Sequence, residues 1–309
     1  MPELPEVETI RGQLEPELRG RVIERLAVLD PRWTRPLAPE EVADAVSGRR
    51  IEGLGRRGKY LLLELEGSRV LVMHLRMTGN LLLVEGAVKL DPSEGRRLYA
   101  AESSASERHL RARFWLDDGR EVWFTDPRRF GEAFLLERDA LEERFRGRVG
   151  IEPLSDEFTP QALAAMSAGR TAPLKSFLLD QSGVAGVGNI YADEALFRAR
   201  LHPLSPAGSM REEHHLALRD GIVAALEAGL AEGGASIDDY RDSRGEMGTM
   251  QDEFLVHTRE GEPCFVCERP IQRIVVAGRS TYYCANCQVR LRRRRRPVRR
   301  RAGGRVRGG

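Results

Sequence analysis

The chain has 309 residues, with 49 Lys and Arg against 47 Asp and Glu and a formal net charge of +2. That length suits two or three domains with a sizeable core. No apolar run approaches the roughly 20 residues of a membrane span and the N-terminus lacks a signal-peptide pattern, so a soluble, cytoplasmic protein is expected. The near-neutral total conceals a split. Residues 288–309 hold eleven arginines and no acid, and removing those charges from +2 leaves the body at −9. Such a body can still bind a polyanion if its arginines line one face, because the local field outweighs the total.

In chain order, Pro5–Leu18 reads as a helix with Val7, Ile10, Leu14 and Leu18 on one face and Gly20 as its stop. From Val22 to about Leu136 the pattern turns to strands. Leu61–Leu63, Val70–Val72, Leu81–Leu83, Phe114–Leu116 and Val122–Phe124 are short apolar runs, and Asp118-Gly119 is a hairpin turn. This predicts a β-sandwich with flanking helices, the second near Glu40–Val46. After Arg138 helices are predicted over Asp139–Phe145, Pro160–Met166, Pro173–Asp180, Ile190–Arg198 and Arg211–Ala231. Gly147–Ser155 reads as the linker between two domains, and Gly233–Gly248 as a mobile polar connection into a last module. The expected architecture is α+β and multidomain, with boundaries at 1–137, 138–248, 249–288 and 289–309. The last span, its arginines broken by Pro297 and glycines, is expected to be disordered.

All four cysteines lie in that last module, as Cys264-Phe-Val-Cys267, sixteen residues, then Cys284-Ala-Asn-Cys287. Two such knuckles suit one tetrahedral Zn²⁺ with a structural role and weigh against disulfides. Ile271–Tyr283 between them reads as a β-hairpin with Gly278-Arg279 near its tip.

At the other end, Pro2 follows the initiator Met1, and removal of Met1 would leave a proline amine. An α-amino group has a pKa of roughly 7.7–8.0, so far more of it is neutral and nucleophilic near pH 7 than of a lysine. Glu3 places a carboxyl group beside it. The same residues also make an ordinary acidic helix start with Pro5 in its first turn. Lys59, between arginines and an apolar strand, reads by itself as a solvated edge charge. Gly183, Gly186 and Gly188 precede a helix starting near Asn189. Such glycines let helix N-terminal amides approach a phosphate, or simply make a tight turn.

PELPEVET (residues 2–9) closely resembles the start of the bacterial formamidopyrimidine-DNA glycosylases. GKYLLL (58–63), HLRMTG (74–79), TDPRRFG (125–131), VGNIYADE (187–194) and the four-cysteine module also resemble that family, in the family's order, over residues 2 to about 288. The related endonuclease VIII branch usually begins with a PEG-type sequence, so PELPE points to the oxidised-purine branch.

The resemblance implies a bifunctional DNA glycosylase and AP lyase acting on duplex DNA that contains oxidised or ring-opened purines such as 8-oxoguanine. It implies Pro2 as nucleophile, Glu3 as proton donor, Glu6 as a supporting acid, and Lys59 at the DNA backbone, assisting proton transfer during strand cleavage. Met77, Arg128 and Phe130 stand at the family's intercalating triad, which fills the gap left by a flipped nucleotide. Arg129, His109 and Arg170 fit phosphate contacts. Asn189, on a helix–two-turns–helix motif with Lys175 as a further surface candidate, would hold phosphates beside Arg279 of the zinc hairpin. The zinc aims that hairpin and does no chemistry, and a nucleoid-associated monomer is expected. Two features depart from the family, a long acidic loop over 90–108 and the arginine tail, which would act as an electrostatic arm on DNA. The rival classes are an oxidised-pyrimidine enzyme and a non-catalytic DNA-damage or chromatin-binding protein that retains the scaffold.

Overall fold

The fold is that of a computed structural model, which describes residues 1–84, 109–237 and 239–292. The acidic loop and all but the first residues of the arginine tail lie outside those spans.

Helix α1 (Leu4–Leu18) buries Val7, Ile10, Leu14 and Leu18, none more than 2 % exposed. Each contributes roughly 1.5–3 kcal/mol of burial. They pack into a core shared by two halves of an eight-stranded antiparallel sheet. One half contains β1 (Val22–Val28), β5 (Asn80–Val84), β6 (Leu110–Leu116) and β7 (Glu121–Thr125). The other contains β2 (Arg49–Arg57), β3 (Tyr60–Leu65), β4 (Arg69–His74) and β8 (Glu132–Glu137). Only Val22↔Arg50 and Ile23↔Arg49 join β1 to β2, so the halves fold over one another as a sandwich. Phe114, Leu116 and Phe124 from one half meet Leu61, Leu63 and Leu71 from the other. Helix α2 (Pro39–Val46) buries Val42 and Val46 against the same core.

After β8 come α3 (Leu141–Phe145), α4 (Pro160–Ser167), α5 (Leu174–Leu179), α6 (Asn189–Arg198) and α7 (Glu212–Ala231). Helix α6 is the pivot of this half. A Cβ on Gly221 of α7 would lie 2.7 Å from the Ala195 carbonyl, and one on Gly229 would lie 2.4 Å from the Tyr191 hydroxyl. Glycine at these two positions lets the helices approach closely. Among the described residues, no helix is long and apolar enough to cross a membrane.

The expected linker and connection are both docked. Glu152 accepts hydrogen bonds from Arg56 (2.7 Å), Arg57 (3.1 Å) and the Gly58 amide (2.5 Å), binding its segment to the β2–β3 turn. Over 233–248 the expected mobile connection is corrected for the described residues. Tyr240 is 5 % exposed, Asp242 accepts from Gln13 of α1, and the Ser243 carbonyl accepts from the Leu83 amide of β5. The polar composition that suggested a loose loop instead satisfies turns and bonds α1. Beyond it, β9 (Gln272–Val276) and β10 (Arg279–Tyr283) form the hairpin. Its two turn residues, Ala277 and Gly278, have φ of +50° and +72°, as a tight two-residue hairpin turn requires.

Candidate active site

The first residues of the chain enter the junction between the sandwich and the helical half. The Leu4 amide donates to the Gly186 carbonyl at 3.0 Å, and Leu4 packs in the helical core rather than with the rest of α1. This seats Glu3, 2 % exposed, at the N-terminus of α6. Its carboxylate accepts from the amides of Gly188 (2.7 Å), Ile190 (3.0 Å) and Tyr191 (3.4 Å). These are orphan donors of a helix start, where the macrodipole favours a negative group.

Lys59 is 5 % exposed and comes from the β2–β3 turn. A Cβ on Gly188 would lie 2.3 Å from Glu3 Cδ and 2.5 Å from Lys59 Nζ, so the two side chains meet over this glycine. Burial pulls the Lys59 ammonium below the ordinary lysine range, Glu3 and Glu6 oppose that, and Arg279 adds to it. Pro2 is buried beside Glu3, with Met1 exposed ahead of it.

Glu6 lies one turn behind. Its carboxyl group accepts from the Glu3 amide (2.7 Å), the Tyr191 hydroxyl (2.7 Å) and the Ala235 amide (2.7 Å). Burial, then the nearby Glu3, pushes the Glu6 carboxyl group above the usual carboxylate range. Tyr240 donates to the Glu6 and Gly233 carbonyls at 3.3 and 3.1 Å. Glu6 thus completes a capping box with Glu3 at the start of α1, and its side chain also ties α1 to α6 and to the segment after α7.

The same α6 carries the zinc module. Glu194 Oε1 accepts the amides of Leu255, Val256 and His257 at 2.9–3.1 Å. Asp193 takes Lys175 Nζ at 2.6 Å and His257 Nδ1 at 2.9 Å. Lys175 also donates to the Ser280 carbonyl (3.0 Å), which accepts Asn189 Nδ2 at 3.1 Å. Lys175 therefore departs from the sequence expectation. It is 0 % exposed and locks the hairpin to the helix, because a buried ammonium must be paired to be tolerated. Asn189 Oδ1 is buried without a partner among the described residues. Arg279, exposed at the start of β10, is close enough to act electrostatically on both Lys59 and Lys175.

The four cysteine sulfurs lie within 4.8 Å of one another, with Cys264–Cys287 at 3.9 Å and Cys267–Cys284 at 3.4 Å. Sulfurs about 2.3 Å from one tetrahedral zinc stand roughly 3.8 Å apart. The set fits a single Zn²⁺, and its spacing is too long for disulfides.

Met77 and Phe130, 41 % and 53 % exposed, stand on separate loops rather than in the core. Asp126 ties those loops together, accepting from the Thr78 hydroxyl, the Arg128 amide (3.1 Å) and the Gly131 amide (2.7 Å). The Arg128 guanidinium lies 4.9 Å over the Phe130 ring. Arg129 is bound to Asp30, at 2.6 and 2.9 Å. The His109 carbonyl accepts the Asp126 amide at 2.8 Å, so this residue supports the same turn. Arg170, ahead of α5, pairs with Asp180 at that helix's C-terminal end at 3.1 Å, both partly exposed.

Sequence reasoning did not single out His74, Glu152, Tyr191, Asp193, Glu194 or Tyr240. Four of them lay inside motifs already noted, and only contacts across the fold separate them from their neighbours. His74 is buried, packs edge-on against Tyr60, and accepts the Arg76 amide on Nδ1 at 2.9 Å. Burial, aided by Arg76 and Lys59, lowers its pKa to about 3, so the ring is neutral.

Three family models match the chain. They are the formamidopyrimidine-DNA glycosylase N-terminal domain over residues 1–133, its H2TH domain over 149–241, and a zinc finger found in FPG and IleRS over 261–289. A formamidopyrimidine-DNA glycosylase of Chloroflexus aurantiacus is 44 % identical over 94 % of this chain and 99 % of its own length. The crystal structure of the MutM (FPG) protein of Thermus thermophilus is 41 % identical, covers 93 % of this chain and 98 % of its own, and superposes with a TM-score of 0.78. A Lactococcus lactis FPG variant in complex with Fapy-dG-containing DNA reaches a TM-score of 0.82 at 34 % identity, over 93 % and 99 % of the two chains. With the N-terminal sandwich, the helical half and the zinc finger matched in order, this chain belongs to the formamidopyrimidine-DNA glycosylase family.

Proposed function

We propose that this protein is a bifunctional DNA glycosylase and AP lyase that removes oxidised or ring-opened purines, including 8-oxoguanine, from duplex DNA. The observation that carries the reading is the buried meeting of Glu3 and Lys59 over Gly188, with the buried Pro2 next to Glu3 in the chain. Once Met1 is removed, the Pro2 nitrogen attacks the sugar C1′ and the bond from C1′ to the base breaks; the Glu3 carboxylate takes the proton that the nitrogen gives up, and the base takes one from solvent. The C1′–O4′ bond then opens, O4′ takes a proton from Glu3, and the nitrogen lone pair forms the iminium. Loss of a C2′ proton expels the 3′ phosphate, and a second elimination expels the 5′ phosphate. Lys59, with its pKa lowered by burial, suits proton transfer in those steps.

Asn189 and Arg279 hold the phosphates flanking the lesion, and Arg129, His109 and Arg170 contact the backbone further out. Met77, Arg128 and Phe130 form the wedge that replaces the flipped nucleotide, which suits their exposure on loops tied together through Asp126. The zinc, held by Cys264, Cys267, Cys284 and Cys287, supports the hairpin. We assign 1–137 to a catalytic domain, 138–248 to a helical DNA-binding domain, 249–288 to the zinc module and 289–309 to a tail that assists DNA binding. The enzyme acts as a cytoplasmic, nucleoid-associated monomer.

The test is a side-by-side incision assay on duplexes carrying 8-oxoguanine or an oxidised pyrimidine. Faster cutting of the purine duplex, with phosphates left at both ends of the gap, is expected. Preferential cutting of the pyrimidine duplex would move the protein to the other branch, and no cutting of either by zinc-loaded protein would favour a binding-only role.

A further inference from the structure

The loop Asp126–Ala133 that carries Arg128 and Phe130 is braced from outside by the segment 29–33. The Leu29 and Asp30 amides both donate to the Arg111 carbonyl, at 2.7 and 3.2 Å, while Arg111 Nε donates to the Asp126 carbonyl at 2.8 Å. At the far end of the loop, the Ala133 amide donates to the Trp33 carbonyl at 2.6 Å. Between these anchors Asp30 accepts from Arg129 Nε at 2.6 Å and Nη2 at 2.9 Å. The Asp30 side chain is only 4 % exposed, and its Oδ1 also accepts the Arg32 amide at 3.1 Å, which holds the carboxylate in place.

Arg129 has φ of +61°, a left-handed conformation that a non-glycine residue leaves readily unless something holds it. A two-point guanidinium–carboxylate fork constrains orientation as well as distance. Resting on the wedge assignment above, we infer that Asp30 is a positioning residue for strand insertion. Through Arg129 it holds the peptide between Arg128 and Phe130 in the left-handed turn that points both side chains outward.

The same pair leaves Arg129 partly exposed, so its guanidinium can still face a phosphate while anchored. The Arg129 guanidinium holds the Asp30 carboxyl group below its usual range, which keeps the fork ionised at neutral pH. Asp30 is thus neither a DNA contact nor a core residue. It is a surface-proximal brace for a loop that works outside the protein.

The experiment uses full-length, zinc-loaded protein and a duplex in which 2-aminopurine stands opposite an 8-oxoguanine, so that its fluorescence reports insertion by stopped flow. Asp30→Asn keeps the volume and can still accept the Arg32 amide, but it loses the charged fork. Insertion is expected to slow about tenfold, with single-turnover excision slowed in step, because a charge-assisted pair of this kind is worth roughly one decade or more. Arg129→Ala should show a similar loss, and adding Asp30→Asn to it should cost nothing further.

Insertion by Asp30→Asn within twofold of wild type would overturn the inference. So would an equal additional loss in the Arg129→Ala background, since Asp30 would then act by another route. Circular dichroism melting separates both outcomes from unfolding. If wild-type protein fails to excise the base at all, the proposed function fails, whereas an active wild type with an unaffected variant fails only the brace.

Discussion

The node around Glu3 and the proposed wedge around Phe130 are built on opposite principles. Around Glu3 the polar groups are enclosed, with three amides on Glu3, three donors on Glu6, and Lys59 pressed over a glycine. At the proposed wedge, large side chains stand in solvent, and the turn beneath them is held by Asp126 through backbone amides and by Asp30 through the Arg129 side chain. Covalent chemistry needs groups placed to within a fraction of an ångström, which favours a buried, crowded setting. Insertion into a duplex needs apolar surface that is free beforehand and covered afterwards.

The contrast is broken most severely at Gly188. A Cβ there collides with Glu3 and Lys59 together, and Glu3 cannot move aside without losing its helix amides. Gly188→Ala is expected to lower single-turnover excision by at least about 100-fold, as misplacement by an ångström does. Near-normal excision would show that the node tolerates slack.

Zinc stands next in size. Stripping it, or changing Cys267 to Ser, releases the hairpin that places Arg279, while Lys175 and Glu194 still hold its base. Affinity for lesion DNA should fall by roughly 10- to 100-fold, measured by fluorescence anisotropy with zinc content assayed in parallel. Unchanged affinity in metal-free protein would remove the hairpin from the DNA interface.

Phe130→Ala sharpens the comparison from the exposed side. Loss of one stacking side chain should slow insertion by roughly tenfold. The melting temperature should hold within a degree or so, because a half-exposed ring contributes little to the core. A marked drop in stability would return Phe130 to a packing role.

The last effect is on stability rather than on rate or affinity and concerns His74. The folded pKa of this base is depressed to about 3 from 6.5, so the unfolded chain takes up its proton more readily. Its contribution is fully present above pH 6.5 and is lost as the pH falls toward 3. This residue alone should make the fold less stable at pH 4 than at pH 7 by on the order of 2 kcal/mol. Nitrogen NMR should find the ring neutral at pH 5, and a ring protonated there would contradict its burial.

How much of this was legible in the sequence follows from the range of the interactions. Strands β3, β4, β6 and β7 and the apolar face of α1 showed through local periodicity. The zinc site showed through spacing, because two CxxC knuckles carry their geometry with them. Pro2, Glu3 and Lys59 were visible as motifs, but their convergence joins positions 3, 59 and 188, and no local pattern encodes that. Lys175 was misplaced on the surface for the same reason. Its partners, Asp193 and Ser280, are 18 and 105 residues away, and the residue type alone suggests exposure. The segment 233–248 looked loose because its glycines and acids resemble a linker, yet Tyr240 and Asp242 bind α1.

The most direct test of the account is borohydride trapping on an 8-oxoguanine duplex, comparing processed native protein with Pro2→Gly and with protein that retains Met1. The account predicts a covalent adduct from the native protein and none from the other two. Equal trapping by all three would contradict it, moving the nucleophile away from the N-terminal amine and making Lys59 the first residue to examine.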